Sequence, residues 1–542
     1  MNLSSLLEAV TPLRITESGG LRPEIGSIHY RAQDVQPGGL FVAIEGLAAD
    51  GHDFVDEAVA RGALAIIAQK PVNQEATIIE VENSREALAA VSDRFYTSPS
   101  QQLTMIGITG TNGKTTTAFL VERILLKAGF NVGVIGTLNY RYNGKTFSSP
   151  MTTPESLDLQ RILADMLKDG VTHVVMEVTS HAIDLHRVDH CRLDVAVFTN
   201  LTQDHLDYHG NMESYWQCKK RMFTEILNSG PKKNLGSAVL NHNDEKGQEL
   251  LSLFSEKASP FAVLSVGTAA GNNIRCQNIE YDLTGMKGRI ATPGGTFEFK
   301  SPLVGHYNLE NILCATGAGI ALNLSLGAIK AGLQEVAGIP GRLESIANDI
   351  ERFVYVDYAH TPDALDNVLS VLKKLATGKV ICVFGCGGNR DSAKRPQMGA
   401  IASRLCDLTV ITNDNPRTEP PRKIIGQILE GTKKAAVRRY TPSDLAAGLQ
   451  QRGYVVEPDR KNAIQLAVLA SRPGDTVLIA GKGDETYQVI KESVVPFDDR
   501  AEARAALSAL AGSRKKSIKQ NHQAKDLKAD DKTNTLDHCQ NP

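Results

Sequence analysis

The sequence predicts an α/β protein of three domains built on parallel sheets, and three observations support this prediction. The chain has 542 residues, of which 42% are hydrophobic and 22% charged, which suffices for roughly three packed domains of about 150 residues each. Residues 103–137 run from an apolar strand through a glycine loop and an amphipathic helix into a second apolar strand, as a βαβ unit does. Beyond residue 352, four apolar runs each end in polar or glycine-rich residues, and open α/β sheets bind ligands at such carboxyl ends.

The remaining elements follow in chain order. Short strands precede the βαβ unit, among them GGLFVAIEG (38–46) and ALAIIAQ (63–69). After the unit, THVVMEVTSHA and VAVFTNL are the continuous apolar runs of a parallel sheet that is covered on both faces. The segment AGIPGRLE (337–344) interrupts the apolar periodicity with two glycines and a proline, so we expect a domain joint there. The polar, lysine-rich stretch 512–542 predicts a disordered tail.

Composition argues against several classes of partner. The formal net charge is −2, so the chain has no bulk attraction to nucleic acid or to an anionic membrane. No uninterrupted apolar run approaches the ~18 residues that span a bilayer, and the first ten residues lack the basic start of a signal peptide. The eight cysteines lack CxxC spacing, which is typical of reduced thiols and predicts a cytoplasmic protein.

A glycine loop is the strongest functional signal. The usual P-loop pattern, GxxxxGK[ST], requires a glycine where GITGTNGKTTT (107–117) has Ile108. Gly110 can instead supply the tight turn of a shorter GxxGKT loop, whose backbone N–H groups and following helix would surround an anion. Lys114 would then reach the β- and γ-phosphates, and the Thr115 hydroxyl would ligate Mg²⁺. The alternative is a glycine-rich turn that binds nothing.

Two further residues follow apolar strands and are candidates to face the phosphates. Glu177 ends the run THVVME, and His205 lies in NLTQDHLDYHG. Six of the thirteen histidines fall between His173 and His209, which raises the alternative of a zinc site, but no HExxH or CxxC pattern accompanies them. Hard oxygen ligands beside a phosphate loop favour Mg²⁺.

Several motifs occur in the order of one enzyme family: GTNGKTT, MEVTSHA, NLTQDHLDYHG, GHYNLENILCA, GIPGRLE, DYAHTPDAL and DNPR. Together they resemble the Mur ligases over roughly residues 27–511, and the phosphate loop of that family is the short GxxGKT form. The resemblance implies a P-loop-type central ATPase domain and a Rossmann-like C-terminal domain. We therefore expect a UDP-substrate-binding domain at 1–102, an ATP-binding domain at 103–339 and an amino-acid-binding domain at 340–511.

The resemblance implies amide-bond formation in peptidoglycan precursor synthesis. ATP would phosphorylate the D-glutamate carboxylate of UDP-MurNAc-L-Ala-D-Glu, and an amine would then displace phosphate from the acyl phosphate. Two anions must meet in the first step, so Lys114 and Mg²⁺ would neutralise charge. By resemblance, Thr115, Glu177 and His205 bind the metal, and His205 also counts as catalytic.

Lys219 is a second catalytic residue implied by the resemblance. YWQCKK resembles the family's Tyr-x-x-Ala-Lys, whose lysine is carbamylated, and the spacing from Tyr215 favours Lys219 over Lys220. CO₂ bound to a neutral amine makes a carboxylate, which changes a cation that repels Mg²⁺ into an oxygen ligand. A plain surface lysine is the alternative.

The resemblance also implies three sets of binding residues. The expected ATP contacts are Gly110, Thr111, Asn112, Gly113, Lys114, Thr115, Thr116, Asn308, Asn311, Arg342, Asp357 and His360. The expected contacts to the UDP-muramoyl dipeptide are Tyr30, Thr152, Thr153, Ser180 and Arg187. Tyr30 lies in His-Tyr-Arg where many relatives have Asp-Ser-Arg, so the uridine contacts depart from the family pattern there.

The motif DNPR marks users of meso-diaminopimelate within the family. Diaminopimelate differs from lysine by a second carboxylate, which an arginine fork binds bidentately. The expected contacts to this amino acid are Arg390, Asp414, Asn415, Pro416, Arg417, Gly481 and Glu485, with Glu485 near its distal ammonium. We expect a monomer with small-molecule substrates. The alternatives are a folylpolyglutamate-type ligase, which shares the ATPase core, and a P-loop ATPase that is not a ligase.

Overall fold

The structure is a computed structural model that describes residues 1–18, 23–46, 49–227, 236–256, 259–435, 437–446 and 448–512. The predicted tail lies, from residue 513 onward, outside the described residues. The chain divides into two compact units. Among the described residues, the first comprises those within Met1–Glu280, Met286–Ser301 and Tyr307–Val336, and the second comprises those within Tyr281–Gly285, Pro302–His306 and 337–512. The three-domain division at residues 102 and 339 remains a prediction.

The first unit begins with a small sheet of five strands. In spatial order the strands are Arg14–Thr16, Thr77–Glu80, Ala63–Ala68, Gly39–Ala43 and Ile28–His29. The first pair is antiparallel and the other pairs are parallel. The helical segments that accompany the sheet are Leu3–Leu7, Ala32–Asp34, Gly51–Phe54, Val55–Ala60, Ser84–Phe95 and Pro99–Gln101.

A larger sheet of eleven strands carries the phosphate loop. In spatial order its strands are Gly295–Ser301, Gly285–Thr292, Ile274–Asp282, Ala262–Gly267, Ser237–Asn241, Val195–Phe198, Thr104–Thr109, His173–Glu177, Val132–Ile135, Tyr140–Tyr142 and Lys145–Phe147. The strand Thr104–Thr109 lies between Val195–Phe198 and His173–Glu177, and both pairings are parallel. The polar residues that follow these three strands therefore meet at one edge of the sheet.

The helices around this sheet include the one that the glycine loop predicts. They are Lys114–Lys127, Ser156–Lys168, Ser180–Asp184, Leu206–His209, Met212–Arg221, the π-helical turn Met222–Ile226, Glu245–Glu256, His306–Ala321 and Leu326–Glu335. The central parallel strands are buried almost throughout, as expected for a parallel sheet with both faces covered; they are Thr104–Thr109, Val132–Ile135, His173–Glu177, Val195–Phe198 and Ser237–Asn241.

The second unit contains a seven-stranded sheet. In spatial order its strands are Glu344–Ser345, Phe353–Asp357, Thr476–Ala480, Val380–Phe384, Leu408–Ile411, Gly453–Val456 and Arg438–Arg439. All neighbouring pairs are parallel except the first. The helices are Pro362–Leu375, Lys394–Leu405, Pro421–Lys434, Pro442–Ala446, Arg460–Ala470 and residues 499–512, and the strands Tyr487–Ile490 and Ser493–Pro496 form a hairpin.

The predicted fold class is confirmed by these parallel sheets with alternating helices. All four apolar runs predicted beyond residue 352 are strands, at Phe353–Asp357, Val380–Phe384, Leu408–Ile411 and Thr476–Ala480. Two apolar clusters form the interior of this unit on the two faces of its sheet, one with Leu478 and one with Ile479, as alternation along a strand requires. Within the described part of the chain, no helix combines the length and apolar character that a bilayer crossing requires.

Candidate active site

The glycine loop follows the strand Thr104–Thr109 and ends where the helix Lys114–Lys127 begins. Ile108 is a fully buried strand residue, so the loop has not yet begun at the position where the longer P-loop has its glycine. Gly110 has φ 145°, and a Cβ there would lie 1.9 Å from Thr199 Oγ1. Gly113 has φ 85° and caps the helix. Both glycines are thus required by backbone conformation or close approach.

Two residues that the sequence did not indicate hold this loop. The Thr199 hydroxyl donates to Asn112 O at 2.6 Å. The Asn200 side chain accepts from Asn112 N at 2.9 Å and donates to Asn112 O at 3.1 Å. Both follow the strand Val195–Phe198, which pairs with the strand of the loop. Asn200 begins the motif NLTQDHLDYHG, but the strand pairing, which a single sequence does not contain, is what brings both side chains to the loop.

Two lysines reach the same carbonyl of the loop. Lys114 Nζ donates to Gly110 O at 3.0 Å and to Thr111 O at 2.8 Å. Lys219 Nζ also donates to Gly110 O at 3.0 Å, and its side chain is almost completely buried. Burial, and then the charge of Lys114, lowers the pKa of Lys219 well below its usual value. The geometry therefore favours a neutral amine at Lys219.

Glu177 lies at the end of the strand His173–Glu177 with 2% of its surface exposed. Its Oε2 accepts hydrogen bonds from the Thr115 hydroxyl at 2.9 Å and the Thr137 hydroxyl at 3.0 Å, and its Oε1 accepts from Thr137 N at 2.9 Å. These donors are all neutral, whereas a buried carboxylate is stabilised most by a neighbouring cation. Thr137 was not indicated by the sequence, although it follows the strand Val132–Ile135 at the same sheet edge.

His205 precedes the short helix Leu206–His209 in a left-handed conformation, φ 54°. Its ring lies 4.8 Å from that of His181 and 6.1 Å from that of Tyr215, between ring centroids. Lys219 Nζ lies over the ring of Tyr215, 4.9 Å from its centroid. Burial lowers the pKa of His205, so the ring is mainly neutral near pH 7. Among the described residues, no three His, Cys, Asp or Glu side chains form a group that could hold a metal ion.

Asn308 and Asn311 lie on the helix His306–Ala321 and are 3% and 4% exposed. Asn311 Nδ2 donates to Asn308 Oδ1 at 3.1 Å. A Cβ on Gly113 would lie 2.2 Å from Asn311 Oδ1. The two amides share one helix face, as their spacing predicts, and that face is turned toward the phosphate loop.

Four of the five residues predicted to contact the muramoyl dipeptide lie near Glu177. Thr153 donates from its hydroxyl to Glu177 O at 2.8 Å, and the Thr152 hydroxyl lies 3.3 Å from that of Thr137. Arg187 Nη1 donates to Thr153 O at 3.3 Å. The fourth residue is Ser180, whose hydroxyl lies 2.9 Å from the ring nitrogen His209 Nε2.

The fifth residue, Tyr30, lies beside the small sheet. Its hydroxyl donates to Asp158 Oδ2 at 2.7 Å, and burial raises its pKa. A nearby buried carboxylate, Glu155, is held by Arg85, which donates from Nη1 to both of its oxygens at 3.2 Å, and by Arg187, whose Nε lies 3.3 Å away. The sequence did not indicate Arg85.

In the second unit, the three residues predicted to contact the nucleotide lie close together. Asp357 accepts from Leu343 N at 2.6 Å and from Ala359 N at 2.8 Å, and burial raises its pKa. The guanidinium of Arg342 lies 4.6 Å from the ring of Tyr358. His360 places Nδ1 2.8 Å from Tyr358 O.

The DNPR segment follows the strand Leu408–Ile411. Arg417 has φ 51°, donates from its backbone N to Val489 O at 3.0 Å, and donates from Nη1 to Gly388 O at 2.9 Å. Pro416 precedes it, and Arg390 is exposed. The backbone and the guanidinium of Arg417 are thus held by hydrogen bonds to two different segments of the chain.

Glu485 makes contacts that the sequence did not predict. Its Oε2 accepts from Asn415 Nδ2 and from Lys482 Nζ, both at 2.9 Å. Lys482 is completely buried, and it also lies 3.5 Å from Asp414 Oδ1. Gly481, with φ 118°, precedes it at the end of the strand Thr476–Ala480.

Comparison with known proteins shows the family of the chain. Residues 24–96 match the description "Mur ligase family, catalytic domain", residues 108–319 match "Mur ligase middle domain", and residues 341–483 match "Mur ligase, glutamate ligase domain". A relative from Geobacter metallireducens named UDP-N-acetylmuramoyl-L-alanyl-D-glutamate--2,6-diaminopimelate ligase is 45% identical over 514 residues, 94% of this chain and 99% of its own length. The chain belongs to the Mur ligase family. Mur ligases are ATP-dependent ligases, so the predicted enzyme class is confirmed.

Solved structures of Mur ligases and of a folylpolyglutamate synthase share this fold. A structure described as UDP-N-acetylmuramoyl-L-alanyl-D-glutamate--2,6-diaminopimelate ligase superimposes with a TM-score of 0.67 at 30% identity, covering 94% of this chain and 100% of that one. Folylpolyglutamate synthase from Mycobacterium tuberculosis superimposes with a TM-score of 0.57 at 19% identity, covering 73% of this chain and 92% of that one. The second likeness shows a common fold and carries no substrate assignment.

Proposed function

We propose that this Mur ligase joins meso-diaminopimelate to the D-glutamate carboxylate of UDP-MurNAc-L-Ala-D-Glu in the cytoplasm, with ATP as co-substrate. The observation that carries the proposal is the 45% identity, over 94% of the chain, to a relative named for this reaction. The three-domain division, a monomeric state and the absence of a nucleic-acid partner are parts of the same proposal.

The phosphate loop would act in the first step. The D-glutamate carboxylate attacks the γ-phosphorus of ATP, and ADP leaves. The loop N–H groups and Lys114, whose ammonium already lies at the loop carbonyls, would bind the phosphates and offset their charge. Lys114→Ala should therefore abolish amide formation while the melting temperature stays close to wild type. Near-normal turnover of this variant would contradict the assignment of the loop to ATP.

Mg²⁺ would be held by Thr115, Glu177 and His205. The hydroxyl of Thr115 and the carboxylate of Glu177 are oxygen donors that lie 2.9 Å apart, and such ligands suit Mg²⁺. When bound, the ion would neutralise phosphate charge. Lys219 fits this set only as a carbamate, because an ammonium would repel the ion.

Carbamylation of Lys219 is supported by its burial and its lowered pKa. The neutral amine would add to CO₂, forming an N–C bond and releasing one proton. Lys219→Ala should be nearly inactive, and acetate should partly restore activity by supplying the missing carboxylate. Lys220→Ala is the matched control, since its ammonium pairs with Glu249 at 3.1 Å. Full activity of Lys219→Ala, or an unmodified amine under bicarbonate by mass analysis, would refute the modification.

The second step would use residues of the second unit. The amine of diaminopimelate attacks the acyl carbon, phosphate leaves, and the nitrogen loses a proton. Arg417 and Arg390 would bind the second carboxylate, and Asp414, Asn415, Pro416, Gly481 and Glu485 would line the same site. Arg342, Asp357 and His360, together with Asn308 and Asn311, are proposed nucleotide contacts. Tyr30, Thr152, Thr153, Ser180 and Arg187 are proposed contacts of the muramoyl dipeptide.

Substrate dependence tests the proposal. Phosphate release should require both the UDP-muramoyl dipeptide and an amino acid, and diaminopimelate should be preferred to lysine. Release with ATP alone would instead support an ATPase. Equal use of lysine and diaminopimelate would leave a Mur ligase with a different third residue.

A further inference from the structure

One buried lysine lies among the proposed amino-acid-binding residues and has no part in the scheme above. Lys482 is 0% exposed and follows the strand Thr476–Ala480. Its Nζ donates to Glu485 Oε2 at 2.9 Å and to Asn415 Oδ1 at 3.1 Å, and it lies 3.5 Å from Asp414 Oδ1. One ammonium therefore connects acceptors from two separate segments of the chain.

This contact fixes the orientation of the Asn415 side chain. Asn415 Oδ1 accepts from Lys482 Nζ at 3.1 Å and from Val489 N at 2.9 Å. Two donors at one end of an amide identify that end as the oxygen. Nδ2 is therefore directed to Glu485, whose Oε2 accepts it at 2.9 Å. Both donors to Glu485 reach the same carboxylate oxygen, so the other oxygen, Oε1, is turned away from them.

Lys482 also contributes to the charge balance of this cluster. Asp414 and Glu485 are two carboxylates beside one ammonium. Asp414 Oδ1 is buried and makes no hydrogen bond within the described residues. Without the ammonium, the two carboxylates would repel each other and would also repel a substrate that carries carboxylates.

We propose that Lys482 is a positioning residue of the amino-acid site, which orients Glu485, both directly and through Asn415, toward the ammonium of the substrate and offsets one of the two carboxylates there. Lys482 acts through these neighbours and does not itself contact the reacting atoms. A preoriented site binds more tightly because its side chains are already fixed by their neighbours. The inference rests on the proposed function, and it specifies how that function selects its amino acid.

Lys482→Met removes the ammonium and keeps an unbranched side chain. The KM for diaminopimelate should rise by about tenfold to a hundredfold, because its polar contacts lose their orientation. The KM for ATP should change by less than about twofold, since ATP is assigned to other residues. Lys374→Met is the control, because Lys374 is exposed on the helix Pro362–Leu375 of the same unit, and both constants should stay at wild-type values.

A double-mutant cycle with Glu485→Gln separates positioning from general stability. If Lys482 acts through Glu485, the double variant should have a KM for diaminopimelate no higher than about twofold above that of Glu485→Gln alone. The inference would be overturned if the two substitutions raised the KM for diaminopimelate independently, so that their effects multiplied in the double variant. It would also be overturned if Lys482→Met raised the KM for diaminopimelate and the KM for ATP equally. If Lys482→Met does not fold, the double variant Lys482→Met/Glu485→Gln is used instead, because it also lacks the carboxylate of Glu485 that the ammonium would neutralise. Its KM for diaminopimelate is then compared with that of Glu485→Gln. A double variant that also fails to fold makes Lys482 a folding residue and overturns the inference.

The wild type distinguishes this inference from the proposed function. Wild-type enzyme that does not use diaminopimelate contradicts the proposed function. Wild-type enzyme that does use it, with an unchanged KM in Lys482→Met, contradicts only the role of Lys482.

Discussion

The buried ion pair between Arg460 and Asp499 allows a quantitative test of how the second unit is held together. Both side chains are 0% exposed. Arg460 donates from Nε to Asp499 Oδ1 at 2.8 Å and from Nη2 to Oδ2 at 2.7 Å. It also donates to Ala480 O at 2.9 Å and to Asn413 O at 3.2 Å. These two carbonyls directly precede proposed amino-acid-binding residues, so the pair supports the site as well as the fold.

Asp499→Asn keeps the shape of the side chain and removes its charge. The Arg460 guanidinium would then be buried without its counter-charge, and removing one partner of such a pair costs about 3–5 kcal/mol. For a domain of about 150–250 residues, 1 kcal/mol corresponds to ~2–4 °C in the melting temperature. The expected decrease is therefore about 6–20 °C.

Calorimetry or urea unfolding of the full chain measures this change. Asp366→Asn is the control, because its partner Arg404 is 60% exposed and exposed pairs contribute about 0–1 kcal/mol. The double variant Arg460→Met/Asp499→Leu should be more stable than Asp499→Asn, since it leaves no buried charge without a partner. A loss below about 1 kcal/mol in Asp499→Asn would refute the reasoning.

Three further predictions concern the loop, the amino-acid site and pH. Gly110→Ala should lower turnover about a hundredfold, because its Cβ would overlap Thr199 Oγ1 and displace the loop; wild-type turnover would contradict the required close approach. Arg417→Lys should raise the KM for diaminopimelate about tenfold or more and leave that for ATP unchanged, because it keeps the charge and loses the planar fork; steady-state kinetics with each substrate varied decides this. Burial is the largest single influence on the pKa of His186 and lowers it, but the hydrogen bond to Asp189 and the charges of Asp189 and Glu86 together outweigh burial and raise the pKa. The charged ring therefore stabilises the fold below the unfolded pKa of about 6.5, and this contribution is lost as the pH rises through the folded value. The free energy of unfolding should fall more steeply above pH 6.5 in the wild type than in His186→Gln, and parallel curves would contradict the prediction.

The sequence predicted those parts of the site that depend on local backbone chemistry. Gly110 and Gly113 could be assigned because a loop between a strand and a helix needs residues that tolerate positive φ, and the structure has both there. Asn308 and Asn311 are three residues apart, a spacing that puts both on one helix face, and the structure shows them hydrogen-bonded to each other there. Whether a face is buried or exposed depends on what packs against it, so the sequence did not show that this face meets the phosphate loop.

The residues that the sequence missed act across strands that are distant in the chain. Asn200 supports the loop from 88 positions away, and Lys482 contacts Asn415 from 67 positions away. Each lies in a short polar stretch after a strand, where many side chains look equivalent in a single sequence. Parallel pairing of the strands brings these stretches to one edge, and only that pairing distinguishes a supporting residue from its neighbours.

The two buried lysines show why burial alone does not decide the role of a side chain. Lys482 lies beside two carboxylates, which stabilise its ammonium, so it is suited to hold those carboxylates in place. The ammonium of Lys219 has no carboxylate within ion-pairing distance among the described residues, and it shares Gly110 O with Lys114. Burial and a neighbouring cation both disfavour the charged form, so Lys219 is suited to act as a neutral amine. The same residue type at the same degree of burial therefore suits a fixed charge in one unit and the reactive nitrogen proposed for Lys219 in the other, and the difference lies in the neighbouring charges.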